Sequence, residues 1–458
     1  MYLKNMMNKI LQVKPEKIFL LIALIYGLSF LVINPPFQVY DEREHFYRSF
    51  TISDGQLMPS NFEGRSGIII SDNVQEMANH FVWLSRHPES RLSVEDIKNN
   101  MSITFKGERS FAIIGSAVAT YSPLPYLASS FGMFVGKCFS SSVLVLLYLG
   151  RFMNLILWCF LIYLSIKITP VNKWVFLLLA LMPMTVYQAA SLSADSLTIG
   201  LCFLIISIFF RFSLDSASEI NNKIIFTIFL LSLFISLSKP IYMLIIFLFF
   251  MIPVNKFKSW KQKFSVFVVI SSPIFIMVLA WNLLFKGMIM PPLGVSTSAQ
   301  ISYILSNPLS LFAVFGNTLF NSSVDIISMF VGQVAFLNGI LPSWLIYGYL
   351  LILILVALLE NKEIEIRLNQ KIVPLFVFLS SSLLIFIVEY ITFTPVGQNF
   401  IEGIHGRYFI PVAPLLFILF YNKRFNTEFK YLNLIIIIFT VISLFIALFV
   451  LIKRFYIL

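Results

Sequence analysis

Apolar residues fall in long, nearly unbroken runs at 19–33, 142–166, 264–285, 341–359 and 432–452, separated by shorter polar stretches. Most of these runs approach the ~20 residues that a helix needs to cross the hydrocarbon core of a bilayer. A helix also satisfies its own backbone N–H and C=O groups where water cannot reach them. The pattern predicts an all-α, polytopic transmembrane helical bundle of about eleven spans. With no fixed-period repeat and no low-complexity linker, residues 1–458 are expected to form a single membrane domain. Lys239-Pro240 interrupts the run at 224–253, which is expected to form two short helices meeting near the external face; one kinked span is the alternative. The run at 111–136 is broken by Tyr121-Ser122-Pro123-Leu124-Pro125-Tyr126. Two prolines so close free backbone groups, so a kinked or re-entrant piece is expected there.

Composition strengthens the membrane reading. Hydrophobic residues make up 58% of the chain and charged ones 12%, with a mean hydropathy of +0.87, which a water-exposed surface could not accommodate. The net charge of +11 does not gather in a nucleic-acid-binding stripe. Its lysines and arginines punctuate the spans, at 4–17, 167–173, 211–223, 256–263, 362–371 and 423–430. Read as cytoplasmic loops, these imply a cytoplasmic N-terminus, with Lys453 and Arg454 as the one basic pair on the other side. Cys138, Cys159 and Cys202 have no paired spacing, and His45, His80, His87 and His405 have no metal-ligand spacing, so neither a disulfide framework nor a zinc site is expected. The first apolar run lacks a small-residue cleavage motif and is expected to be a retained span.

The loops carry the chemistry. A long polar stretch at 34–110 follows the first span and is expected outside the cytoplasm. Two more external regions are expected at 286–340, where Asp325 is the only acid, and at 392–406, with Gln398, Glu402 and His405. The densest constellation runs from Asn34-Pro35-Pro36-Phe37-Gln38-Val39-Tyr40 into Asp41-Glu42-Arg43-Glu44-His45-Phe46-Tyr47-Arg48. On a helix from Tyr40, Asp41, His45 and Arg48 share a face, and Glu44 and Arg48 the next. A carboxylate at a membrane boundary could act as a general base towards a hydroxyl, or hold a divalent cation, Mg2+ or Mn2+, that neutralises a phosphate. A solvated helix start with intrahelical ion pairs is the plainer account.

Charges inside spans cost ~2.5–3.5 kcal/mol or more unless they face protein or a water-filled cavity. Arg151 lies about nine residues into its run and Lys239 precedes a proline; both suit an anionic head group at the membrane boundary. Asp195, in Ser191-Leu192-Ser193-Ala194-Asp195-Ser196, marks an external turn and either caps the next helix or joins a site. Glu389 reads as an interfacial, snorkelling acid. His405, Arg407 and Tyr408 open a late span, as interfacial anchors or as ligand contacts, and Gly403 and Gly406 would let backbone approach a ligand closely. Phosphate-cradling glycine loops, nucleophile elbows and dinucleotide fingerprints are all missing, which disfavours cytosolic nucleotide chemistry.

Four separated motifs carry a resemblance. Pro35-Pro36-Phe37-Gln38-Val39 with Asp41-Glu42 and His45-Phe46-Tyr47-Arg48 resembles the first external loop of a large bacterial membrane-protein family catalogued only as a domain of unknown function. Ser191 to Ser196, Lys239-Pro240-Ile241-Tyr242 and Gly406-Arg407-Tyr408-Phe409-Ile410-Pro411 resemble its later motifs, in order. That family looks like a branch of the GT-C glycosyltransferases, which use polyprenyl-phosphate-linked sugars on the external face of the membrane. The resemblance implies an inverting transferase of the bacterial inner membrane that adds a sugar to O antigen, teichoic acid or capsule. Asp41 would be the general base or metal-holding carboxylate and Glu42 its neighbour or substitute, supported by His45 and Arg48, with Lys239 and Arg407 as phosphate contacts. Tyr40, where the family usually has proline, and Arg43-Glu44, where it has small residues, depart from the pattern.

Two other classes compete. A transporter or flippase of lipid-linked glycans would share the spans and buried charges, but no two-fold repeat of spans or motifs is present. A polysaccharide polymerase or ligase would carry its large external loop late in the chain with basic key residues, whereas here the longest polar loop follows the first span.

Overall fold

The computed structural model describes residues 13–62, 65–114, 117–285, 288, 292, 294–335, 339–360, 364–423 and 431–457. Parts of the expected basic loops, at 4–12, 362–363 and 424–430, lie outside the described residues. Helix α1 (Pro15–Ile33) starts with a proline at its first turn, where no intrahelical N–H is required, and ends at Asn34. The polar stretch that follows builds its own small structure from α2 (Glu42–Ser53), β1 (Ser60–Phe62), β2 (Arg65–Ser71), α3 (Asp72–Arg86), α4 (Val94–Met101) and β3 (Arg109–Ile113). Its strands make an antiparallel sheet in the order β1-β2-β3, with Ile69 opposite Phe111. Val74, Met77, Ala78 and Phe81, recurring at helical spacing on α3, are buried along with Ile68 and Ile70 of β2, so one apolar stripe covers one sheet face.

The run at 111–136 divides: residues 111–113 belong to β3, two 3₁₀ turns follow at Ala117–Thr120 and Leu124–Tyr126, and α5 (Leu127–Lys137) completes it. Eleven residues rise only about 16 Å, too little to cross a bilayer. Next come α6 (Val143–Ile168), α7 (Lys173–Ala180), α8 (Pro183–Ala189), which is set off from α7 by its proline, and α9 (Ala194–Leu214). α9 is apolar all round and the most buried of the long helices, as a helix at the centre of a bundle must be. α10 (Asn222–Ser238) stops at Lys239, and a 3₁₀ helix (Pro240–Met251) runs back against it. Beyond that helix, Lys256 donates to the carbonyls of Asp215 and Ser218, just before α10. The two segments are therefore a hairpin, the first of the two readings of 224–253.

α11 (Trp260–Leu284), α12 (Thr297–Ser306), α13 (Ser310–Val331), the two-residue strands β4 (Gln333–Val334) and β5 (Gly339–Ile340), α14 (Ser343–Leu359), α15 (Leu368–Thr392), a 3₁₀ turn (Gly406–Val412), α16 (Ala413–Phe417) and α17 (Leu432–Phe455) complete the described chain. By length and composition, seven described helices can cross a membrane: α1, α6, α9, α11, α13, α15 and α17. Four shorter apolar segments, α10, Pro240–Met251, α14 and Gly406–Phe420, add to them. The protein is a mostly helical membrane protein.

One expectation is corrected. Residues 286–340 are not simply an external loop, because they contain α13, a helix long and apolar enough to span. Asn317, Asn321, Ser322, Ser323 and Asp325 dilute its hydropathy and hide it in the sequence. The basic pair on the unexpected side is also accounted for in part: Arg454 donates to the carbonyls of Leu84, His87 and Ser90 and so ties the end of α17 to the loop after α1.

Candidate functional site

Glu42 and Arg151 organise the loop after α1. Both side chains are 0% exposed. Arg151 Nε and Nη2 donate to the two Glu42 carboxylate oxygens at 2.7 and 2.6 Å. Its remaining N–H groups reach the carbonyls of Leu31, Asn34 and Pro35 at 3.1, 2.7 and 3.0 Å. The five donors of a guanidinium are thereby matched with five acceptors. The Leu192 amide also donates to Glu42 Oε1, and Asn154 of α6 donates to the Ser191 carbonyl. One buried ion pair thus joins the end of α1, the start of α2, α6 and the turn before α9. This differs from the expectation for both residues. Arg151 faces no head group, and Glu42 is spent on structure, because its oxygens are already occupied away from any surface.

Asp41, one residue earlier, points elsewhere. It sits at the start of α2 with φ 58°, in the left-handed region that Asp tolerates better than most residues. Its side chain is 47% exposed, and its Oδ2 accepts from Nη2 of Arg407, which is only 5% exposed, at 3.2 Å. On its other side Arg407 Nε lies 3.5 Å from Asp195 Oδ2, and Asp195 is ion-paired with Lys239 through its second oxygen. Arg407 Nη1 is buried without a hydrogen bond. The guanidinium lies over the Tyr40 ring, 4.7 Å from its centre, and both it and Lys239 stand within reach of the Tyr408 ring, at 5.4 and 5.2 Å. Although half open, Asp41 sits in a recess. Desolvation there works to raise its pKa, but the Arg407 guanidinium with Lys239 behind it prevails and holds the carboxyl below its ordinary value. The carboxylate is therefore ionised at neutral pH.

The three distant stretches that supply these groups meet because the ends of α9, α10 and the Gly406–Val412 turn converge. Tyr242, at the start of the 3₁₀ helix, donates to the Tyr408 carbonyl at 2.8 Å. Asp195 does not cap α9; the Ser193 hydroxyl does, accepting from the Asp195 amide, which leaves the carboxylate for the two cations. Glu389, half-buried near the end of α15, lies within the electrostatic reach of Lys239 and Arg407. The sequence names Tyr40, Tyr121, Tyr126 and Tyr242 only as members of its motifs and assigns none of them to the site, because a tyrosine carries no spacing that tells a site residue from a packing one.

The proposed face of α2 is only partly realised. His45 is buried, with Nδ1 2.9 Å from the Tyr126 hydroxyl, and burial, the dominant effect, drops its pKa to about 4. Arg48 does not pair with Glu44, which binds Arg43; it donates to the Leu57 and Tyr121 carbonyls. His405 packs edge-on to Tyr40, ring centres 4.9 Å apart, and its pKa falls, again chiefly by burial, to about 3. Gly406 approaches protein, not ligand: a Cβ there would stand 1.9 Å from the Ile326 carbonyl oxygen and 2.3 Å from the Phe330 amide nitrogen. Gly403 has φ +80°, a conformation that suits glycine.

The residues present do not fit the divalent cation considered for Asp41 and Glu42. Glu42 turns to Arg151, and the neighbours of Asp41 are cations, whereas Mg2+ and Mn2+ need converging oxygens. No group of three or more His, Cys, Asp or Glu suited to a metal occurs among the described residues. Two clefts, one beside Ser213, Glu219 and Lys256 and one beside Glu76, His80 and Asn100, lie apart from this cluster.

Residues 24–416 match the family described as predicted membrane protein (DUF2142). The chain belongs to that family. The DUF2142 match contains Asp41, Asp195, Lys239 and Arg407 together, and α17 lies beyond it. No curated protein and no solved structure matches the chain.

Proposed function

We propose that this DUF2142 protein is an inverting GT-C-type glycosyltransferase of the bacterial inner membrane. It would move a sugar from a polyprenyl-phosphate carrier to a cell-surface glycan on the external face. The single observation that carries the reading is the contact between the half-open Asp41 carboxylate and Arg407, with Lys239 and Asp195 directly behind. A base for a hydroxyl and cationic donors for a phosphate share one recess at the ends of apolar helices. In this reading the chain crosses the bilayer about eleven times from a cytoplasmic N-terminus, and the recess then faces the external side.

In the reaction an acceptor hydroxyl oxygen attacks the anomeric carbon and Asp41 takes the proton. The bond from that carbon to the phosphate oxygen breaks, and the lipid phosphate leaves with the bonding electrons. Arg407 and Lys239 stabilise the negative charge that develops, and Asp195 fixes both in place beforehand. Glu42 and Arg151 hold the loop from which Asp41 projects.

The test is replacement of the chromosomal gene with Asp41→Asn and with Arg407→Gln, followed by sugar analysis of the surface glycan. Both variants are expected to accumulate as wild type does and to lose one sugar. An unaltered glycan at normal protein level refutes the assignment. Uptake of a lipid-linked glycan into proteoliposomes without sugar transfer would favour a transporter instead.

A further inference from the structure

We propose that Asp41 occupies the place of the donor phosphate on Arg407 in the free protein, so that phosphate binding itself releases the base; this rests on the glycosyltransferase reading. Three observations lead there. The first is distance. Inversion requires the base and the leaving phosphate on opposite sides of the anomeric carbon, and in inverting sugar hydrolysis the two catalytic groups stand about 6.5–9.5 Å apart to admit the nucleophile. Asp41 and Arg407 are instead 3.2 Å apart, so no sugar fits between them as they stand. One of the two must move.

The second is which one can. Arg407 is almost wholly buried and also leans on Asp195, while the Asp41 side chain is 47% exposed. Asp41 is therefore the outer cover of the guanidinium. Asp195 cannot play that part, since it is buried and shared between Lys239 and Arg407. The third is what the guanidinium lacks. Arg407 Nη1 is buried with no hydrogen bond, although an unmet donor of this kind is costly. With Asp41 swung away, Nη1 and Nη2 together present the two-pronged face that guanidinium offers to phosphate. Tyr40 lies under the guanidinium, 4.7 Å from ring centre to Cζ.

The consequence separates this arrangement from one in which Asp41 assists binding. An acid that competes with phosphate weakens phosphate binding, so its removal strengthens it. Purified protein in detergent, wild type and Asp41→Asn, is titrated with farnesyl phosphate, with phosphatidic acid and with inorganic phosphate. Asp41→Asn is expected to bind farnesyl phosphate about fivefold more tightly, the size of one half-exposed ion pair, and Arg407→Gln to bind it much more weakly. Tightening for all three probes locates the competition at the phosphate itself; tightening for farnesyl phosphate alone adds recognition of the isoprenoid. Asp41→Ala repeats the loss of charge without an amide, and size-exclusion profiles confirm that each variant is folded. Equal or weaker binding by both Asp41 variants overturns the proposal while leaving sugar transfer open. Absence of farnesyl phosphate binding by the wild type overturns both.

Discussion

The Glu42–Arg151 pair gives the sharpest prediction. Glu42→Gln leaves a guanidinium with no counter-ion at a position of zero exposure. Breaking one side of such a pair costs about 3–5 kcal/mol, because the surviving charge stays buried. Arg151→Met should cost more: it strands the Glu42 carboxylate and also removes donors from the Leu31, Asn34 and Pro35 carbonyls, each loss worth about 1 kcal/mol or more. The double variant Glu42→Gln/Arg151→Met has no stranded charge and should be more stable than the sum of the single effects predicts, though below wild type because the three carbonyls remain unmet. Thermal unfolding of purified protein in detergent measures this, with Asp41→Asn as the reference. The expected order of midpoints is wild type near Asp41→Asn, then the double variant, then Glu42→Gln, then Arg151→Met. If Glu42→Gln unfolds at the wild-type temperature but abolishes glycan transfer, Glu42 acts in the chemistry and its structural role is wrong.

The remaining predictions are smaller in scope. His45 and His405 have pKa values depressed to about 4 and about 3, so on acidification from about 6.5 the unfolded chain takes up protons that the folded one refuses. Stability should therefore fall as pH is lowered from about 6.5 towards 4, and a His45→Gln variant should show a shallower fall in unfolding temperature; an equally steep fall in the variant contradicts the assignment. Gly406→Ala forces a Cβ against the backbone of α13 and should destabilise by about 1–3 kcal/mol or more, seen as a lower unfolding temperature and not merely weaker ligand binding. Ser193→Ala removes the cap of α9 and should cost about 1 kcal/mol, leaving the Asp195 pairs in place, which a retained affinity for farnesyl phosphate would verify.

The sequence by itself settled the solvent and the element type. Spans of about 20 apolar residues have no stable place in water, and in lipid their backbones must form helices. It also brought Asp41, Asp195, Lys239 and Arg407 into view, through the motifs that carry the family resemblance and, for Lys239, through the cost of a charge within an apolar run. Only the tertiary structure decided which charges meet. Asp41 and Glu42 are neighbours in sequence, yet a left-handed turn at Asp41 sends one carboxylate to Arg407 and the other to Arg151, and no spacing rule reports that choice. The helix in 286–340, the nearness of Glu389 to Lys239 and Arg407 and the use of Gly406 for packing were hidden for the same reason: each depends on what a segment packs against, and contacts between residues hundreds of positions apart leave no local pattern in a single chain.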